Sequence, residues 1–236
     1  KALAFLVACA VGSGASAAPS LIAIGDLSGS TAGSFTDLSG LTNTLENGTA
    51  ASLLGGIGSG LAYAGGNTFL ALPDRGPNAV SYNPLVDNTT SYIARFQTVT
   101  LSLSATPSGA LPYTLTPTLT GTTLLSSNAP LTYGSGFTNV ISGGTPYSLG
   151  SGVPSQNAIA NTYYFTGRSD GFDASQSSLN PNNARLDPEG IRVSNDGRSV
   201  FISDEYGPYI NRFDRLTGQR TGTISLPSYY GISNLN

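Results

Sequence analysis

Short apolar runs separated by turn residues fill this chain from one end to the other. The 30 glycines and 14 prolines, together with abundant serine and threonine, divide it into pieces too short for long helices. No window shows apolar residues at the spacing of three and four that an amphipathic helix requires. The pattern instead predicts an all-β fold of short antiparallel strands, as in a sandwich, a barrel or a propeller.

The clearest strand pattern lies in the C-terminal part. Turn residues at 195–197 and 217–218 interrupt runs in which apolar and polar residues alternate. The predicted strands cover residues 190–194, 199–204, 209–214 and 220–226. Four short antiparallel strands in succession form one blade of a propeller or one sheet of a sandwich.

An internal repeat favours the propeller. Residues 60–74 align without gaps on residues 190–204: each segment opens on glycine, turns at Gly/Asn residues and ends an apolar strand on aspartate. Repeated four-stranded units of roughly 40–45 residues are the sequence signature of propellers. The repeat predicts that Asp74 and Asp204 take equivalent positions in two blades and point towards a shared central region.

The middle and the end of the chain complete this interpretation. Strands are expected over residues 92–104, 113–125 and 162–166, and long surface loops over 132–154. Residues 229–236 have no closing strand and the chain does not begin with Met, so we expect a chain that is truncated at both ends. The predicted fold is therefore β-propeller-like, with antiparallel four-stranded blades in an incomplete propeller.

Residues 1–18 have the pattern of a signal peptide. Lys1 is followed by an apolar run over 2–11 and by the small residues Ala15-Ser16-Ala17. The run is shorter than the roughly 20 residues that a membrane-spanning helix needs. Lipid attachment at Cys9 is an alternative interpretation of the same segment. The sequence predicts a secreted or periplasmic protein with no membrane span and a single domain over residues 19–236.

Composition restricts the chemistry of that domain. Without residues 1–18 the chain contains no Cys, His, Met, Trp or Lys. Disulfides, thiolate and imidazole metal sites, and Ser-His-Asp or Cys-His catalysis are thereby excluded for this segment. The remaining carboxylates, hydroxyls and amides are ligands for a hard cation such as calcium. A net charge of −3 gives no reason to expect nucleic-acid binding.

Charge is concentrated in one region. No Asp, Glu, Lys or Arg occurs between Phe96 and Gly167, whereas 15 of the 23 charged residues lie between Arg168 and Arg220. Charged groups are costly to bury, and their clustering is typical of functional sites. An ordinary blade followed by a solvated turn is the alternative explanation.

Four motifs resemble the phytase-like family, which is described by its esterase-like activity of phytase. They are ALPDRGPN at 71–78, FTGRSDGFD at 165–173, DPEGI at 187–191 and SDEYGP at 203–208. The resemblance implies a secreted or periplasmic propeller-like hydrolase that acts on phosphate esters with calcium. Members of this family are longer, so the resemblance also implies that this chain is an N-terminal fragment.

Calcium-assisted hydrolysis needs carboxylates to hold the ion and cations to hold the phosphate. Calcium binds six to eight oxygens, and arginine binds phosphate through paired hydrogen bonds. The candidate metal ligands are Asp74, Asp187, Glu189, Asp204 and Glu205. The candidate phosphate contacts are Arg75, Arg168 and Arg185.

Other charged residues have simpler explanations. Asp196 and Asp214 are expected in turns, and Arg192 and Arg198 at solvent-facing strand positions. Asp187 precedes a proline and could equally cap a turn. Asp170 and Asp173 are second-rank metal candidates or residues of a polar loop.

One further motif argues for a different enzyme class and fails on context. Residues 167–171 fit the Gly-x-Ser-x-Gly nucleophile elbow, which requires a following helix and a histidine partner. The chain has no histidine, so this motif does not predict a serine hydrolase. Two alternatives to the phosphoesterase stay open: a lactonase or sugar-ester hydrolase of the gluconolactonase type, and a non-catalytic secreted propeller that binds glycans or partners.

Overall fold

A computed structural model describes residues 19–27, 35–45, 47–78, 89–132, 139–142, 145–148, 162–168 and 178–231. The predicted signal peptide at 1–18, with Cys9, lies outside these ranges. The strands of the described residues are β1 Ile57–Gly65, β2 Thr68–Pro73, β3 Arg95–Ala105, β4 Tyr113–Leu124, β5 Ser126–Ser127, β6 Asn139–Ser142, β7 Thr145–Ser148, β8 Tyr163–Tyr164, β9 Pro188–Val193, β10 Ser199–Asp204, β11 Tyr209–Asp214 and β12 Arg220–Ser225. A 3₁₀ turn covers Ser228–Tyr230. Across these ranges, none of the chain forms a helix with the length and hydrophobicity that crossing a bilayer would need.

The strands form antiparallel sheets in which neighbours in sequence are neighbours in space. The first blade has the order β1-β2-β3-β4 and the second blade the order β9-β10-β11-β12, while β5 pairs with β8 and β6 with β7. None of these sheets closes into a barrel. The prediction of an all-β fold with four-stranded blades in an incomplete propeller is confirmed.

Most predicted strands agree with the structure to within a few residues. The strands expected at 199–204 and 209–214 are β10 and β11 to the residue. The prediction of long surface loops over 132–154 is wrong in part, because β6 and β7 form a hairpin there. Serine, threonine and glycine are typical of loops, which is why this segment is predicted as loop. Main-chain pairing across a hairpin does not depend on apolar side chains.

The two blades pack face to face around one apolar core. Leu70, Leu72 and Phe96 of the first blade meet Ile202 and Phe213 of the second. Phe165, just after β8, packs edge-on against Phe213, with ring centroids 5.7 Å apart. Because burial of apolar area is the dominant favourable contribution to folding, this interface fixes how the blades sit together.

The innermost strands of the two blades, β1 and β9, approach each other at Gly60. A Cβ on Gly60 would lie 3.0 Å from the main-chain nitrogen of Ile191 and 3.1 Å from its Cγ2. The residue at this position therefore has to be small, and Ile191 fills the space that Gly60 leaves.

The strand pairing corrects the gapless repeat by one residue. Leu70 and Val200 match at the predicted offset of 130, but their paired partners, Ala62 and Val193, differ by 131. The connection of the second hairpin is thus one residue shorter than that of the first. Gly60 consequently corresponds to Ile191 and not to Gly190, while Asp74 and Asp204 keep their equivalence.

A buried ion pair attaches the segment 35–54 to the face of the first blade that points away from the second. Arg95 of β3 and Asp37 are both buried and form a salt bridge through Nη1 and Oδ2. Tyr92 places its ring 3.9 Å from the Arg95 guanidinium carbon. Gln97 donates a hydrogen bond of 3.2 Å to the Leu54 carbonyl.

We expect Gly60→Val to destabilise the fold, because its side chain would enter the space of Ile191. Overpacking of this kind costs about 1–3 kcal/mol. Gly58→Val is the matched control, since a Cβ at Gly58 in the same strand meets nothing within 4 Å. Urea unfolding of both variants measures the difference, and equal midpoints would contradict the proposed close contact.

We expect Arg95→Met to cost about 3–5 kcal/mol, because it leaves the Asp37 carboxylate buried without its cation. Arg192→Met is the control, since Arg192 is exposed on β9. Denaturant unfolding compares the two variants. A loss no larger than that of the control would show that Asp37 reaches water when its partner is removed.

Candidate active site

Three carboxylates meet where β2 ends and β9 begins. Asp74 follows β2 directly, Asp187 precedes β9, and Glu189 is the second residue of β9. One oxygen from each lies within 4.8 Å of the oxygens of the other two. We call Asp74, Asp187 and Glu189 the carboxylate cluster.

The members of the carboxylate cluster differ in exposure. Asp187 is buried, with 1% of its surface exposed, while Asp74 is half-buried and Glu189 is exposed. The Oδ1 atom of Asp187 is buried and accepts no hydrogen bond from the described residues. Buried polar atoms are nearly always hydrogen-bonded, so an Asp187 oxygen without a hydrogen bond is unusual and is available to a bound group.

Arg75 is the cation beside the cluster. Its Nη1 atom lies 3.5 Å from Oδ2 of Asp187 and 3.9 Å from Oδ1 of Asp74. Its main-chain nitrogen donates a 2.6 Å hydrogen bond to the same Asp74 oxygen. One guanidinium does not balance three carboxylates, so the cluster keeps an excess of negative charge.

The pKa values reflect this imbalance. Burial, followed by the hydrogen bond and charge of Asp74, raises the pKa of Asp187 from 3.8 to about 8, and Arg75 only partly opposes the rise. Burial and the charges of Asp74 and Glu205 raise the pKa of Glu189. Carboxylates with raised pKa values in a cleft are typical of catalytic and metal sites.

Glu205 and Asp204 approach the cluster from the end of β10. Glu205 is exposed, and its side chain forms a hydrogen bond with the side chain of Glu189. The main-chain nitrogen of Glu205 donates a 2.9 Å hydrogen bond to the Asp187 carbonyl. Asp204 instead accepts 3.0 Å hydrogen bonds from the main-chain nitrogens of Asp187 and Tyr206 through one oxygen. Burial raises the pKa of Asp204 to about 7 although these hydrogen bonds lower it. Both Asp74 and Asp204 therefore contact Asp187, one at its side chain and one at its main chain.

The other two candidate arginines are buried. Arg185 is 7% exposed and lies near Asp204 and the ring of Tyr206; burial lowers its pKa, and the Asp204 charge opposes this. Arg168 is 1% exposed and follows Gly167 in the segment between the blades. Of the three predicted phosphate contacts, Arg75 is the one beside the cluster.

The main chain of Arg75 lies directly against Gly167, a contact that the sequence motifs did not reveal. A Cβ on Gly167 would lie 1.7 Å from the Arg75 carbonyl oxygen, so only glycine fits. The Gly167 carbonyl accepts hydrogen bonds from the hydroxyls of Thr89 and Tyr206. A glycine inside a charged motif is the signal that could have indicated this close approach.

The simpler explanations hold for the turn residues. Asp196 accepts hydrogen bonds from Ser194 and from the Arg198 nitrogen, and Asp214 from its own turn at Thr217. Arg192 and Arg198 are exposed. Asp170, Asp173 and most of the Gly-x-Ser-x-Gly match lie outside the described residues.

A cavity of about 750 Å³ adjoins the cluster and was not anticipated from the sequence. Its lining includes Asp74 and apolar residues on the face of the first blade that points away from the second. Apolar residues at adjacent positions of β2 and β3, such as Phe69 beside Leu70, were the available signal, because they place apolar groups on both faces of the sheet.

The raised pKa of Asp187 predicts how stability changes with pH in the absence of metal. The folded state holds a proton that the unfolded chain releases above about pH 4, so stability should fall as the pH rises from about 5 to about 8. Asp187→Asn should flatten this decline, whereas Asp214→Asn should not, because the Asp214 pKa is lowered by its turn. Thermal unfolding in chelator across this range measures the slopes, and identical slopes for wild type and Asp187→Asn would contradict the assignment.

Comparison with known proteins bears on this site as a whole. No match was found among curated proteins, and none among solved structures. A family model, Phytase-like, described as esterase-like activity of phytase, matches residues 52–235. This range spans both blades and includes all eight predicted site residues. The chain belongs to the phytase-like family.

Proposed function

We propose that this chain is a phosphate-ester hydrolase that uses calcium held by the carboxylate cluster. The observation that carries the proposal is the meeting of Asp74, Asp187 and Glu189 within 4.8 Å around a buried Asp187 oxygen that the described residues leave without a hydrogen bond. Membership of the phytase-like family supports the hydrolase class. On the basis of residues 1–18, we further propose that the protein acts outside the cytoplasm.

The donor set fits calcium better than other biological cations. All three side chains offer oxygen, and calcium takes six to eight oxygens in flexible geometry. Three carboxylates leave positions for water and for substrate oxygens. When bound, calcium supplies positive charge that neutralises phosphate oxygens and lowers the pKa of a coordinated water.

The residues of the chain account for the remaining steps. Arg75 donates hydrogen bonds to a phosphate oxygen from the edge of the cluster, and its main chain is held over Gly167. Glu205, exposed beside Glu189, accepts a proton from the attacking water. The water oxygen bonds to phosphorus, the ester P–O bond breaks, and the alcohol leaves with a proton from solvent.

Calcium should bind and stabilise the protein. At about a hundredfold excess over the Kd, binding to the folded state alone contributes about 2.7 kcal/mol. Glu189→Gln keeps the shape of the ligand and removes its charge, so it should weaken binding about tenfold or more. Asp196→Asn, in an exposed turn, is the control. Calorimetric titration and melting temperature measure both, and an unchanged melting temperature across the titration would rule out the metal site.

Phosphate release then tests the reaction itself. Hydrolysis of a phosphate monoester should stop in chelator and return with calcium, and Glu205→Gln should reduce kcat with little change in KM. Turnover of a lactone without phosphate release would favour the gluconolactonase-type alternative. Calcium binding without turnover of either substrate would favour a binding propeller.

A further inference from the structure

The cavity beside the cluster has an apolar floor. It occupies about 750 Å³ over the face of the first blade that points away from the second. The floor side chains come from all four strands and are Leu61, Phe69, Val99, Leu101 and Leu115. Small-molecule sites in proteins typically have volumes of roughly 300–1,000 Å³ and a mostly apolar lining.

The lining is unsuited to a polyanion. Of its 19 residues only Asp26 and Asp74 are charged, both are acidic, and no lining residue is lysine or arginine. None carries a side-chain hydroxyl or amide. A substrate group that lies here has to be apolar, because a phosphate would lose its hydration without gaining a partner.

The cavity is continuous with the carboxylate cluster. Asp74 belongs to both, and Gly76 and Pro77 extend the lining from the end of β2. A molecule with its phosphate at Arg75 and the cluster therefore has the apolar floor within reach of its ester side.

The chain itself walls the cavity. Across the same face, Leu38 donates a 2.9 Å hydrogen bond to Thr122 Oγ1, and Gln97 bonds the Leu54 carbonyl. On the opposite side, Gly25 lies so close to β4 that a Cβ would be 2.7 Å from the Leu115 carbonyl oxygen. Another sheet packed on this face of the first blade would lie about 10 Å away and would need the face to be open. The segments that wall the cavity cross the face and leave no room for such a sheet.

We propose that the site takes phosphate esters of apolar alcohols or phenols, with the apolar group on the floor of this cavity and the phosphate at the carboxylate cluster. This inference rests on the proposed function and specifies its substrate class. Phytate, whose leaving group carries further phosphates, fits the lining poorly.

A series of n-alkyl phosphates from ethyl to octyl tests the inference on the full chain with calcium. Each buried methylene should raise kcat/KM by about threefold to fourfold until the cavity is filled. Binding of ethyl- and hexylphosphonate, which are not hydrolysed, measures the same preference by calorimetry without turnover.

Leu101→Glu places a charge on the floor and should abolish the rise of kcat/KM with chain length. Leu103→Glu is the matched control: Leu103 lies two residues further along β3, is 50% exposed and does not line the cavity. Melting temperatures confirm that both variants fold.

The outcomes separate this inference from the proposed function. A rate that rises with chain length in wild type and in Leu103→Glu, but not in Leu101→Glu, supports it. A flat series, or phytate preferred to hexyl phosphate, overturns it. If no ester is hydrolysed, the proposed function fails, but phosphonate binding still tests whether the cavity takes an apolar group. Tighter binding of hexylphosphonate than of ethylphosphonate that is lost in Leu101→Glu supports an apolar ligand. Equal binding of the two phosphonates excludes it.

Discussion

The close approach of β1 and β9 is the constraint on which the rest of the structure depends. Gly60 has no side chain where Ile191 has a large one, so the innermost strands can meet and the apolar faces of the blades can close on each other. That contact sets the distance between the end of β2 and the start of β9. Asp74 and Asp187 come within reach of one another because the strands that carry them are packed in this way.

The site combines this rigid support with an unfavourable concentration of charge. The fold holds together carboxylates from the ends of β2 and β10 and from the start of β9, with Arg75 as the nearest cation. The pKa values of Asp187 and Glu189 are raised as a result. Arg168 and Arg185 are buried. The apolar core stabilises an arrangement that the charges alone would oppose, as is common where stability is given up for function.

Sequence patterns were sufficient to predict the local structure and the family. They were insufficient to predict contacts between segments that are distant in the sequence. Alternation and turn residues located β10 and β11, and the motifs around Asp74 and Asp187 indicated the family. The single-residue slip in the repeat depends on turn geometry, which a gapless alignment does not contain. The pairing of Arg95 with Asp37 and the apolar cavity depend on which segments cross a sheet face, and periodicity along one strand carries no information about that.

The two equivalent aspartates show what the duplication of a hairpin makes possible. Asp74 turns to the side chain of Asp187, whereas Asp204 binds the main chain of the same residue and of Tyr206. The residue type is the same in both hairpins and the surroundings differ, so Asp74 joins the carboxylate cluster while Asp204 holds main-chain nitrogens in place. Division of labour between repeats thus required no new amino acid at either position, only different neighbours.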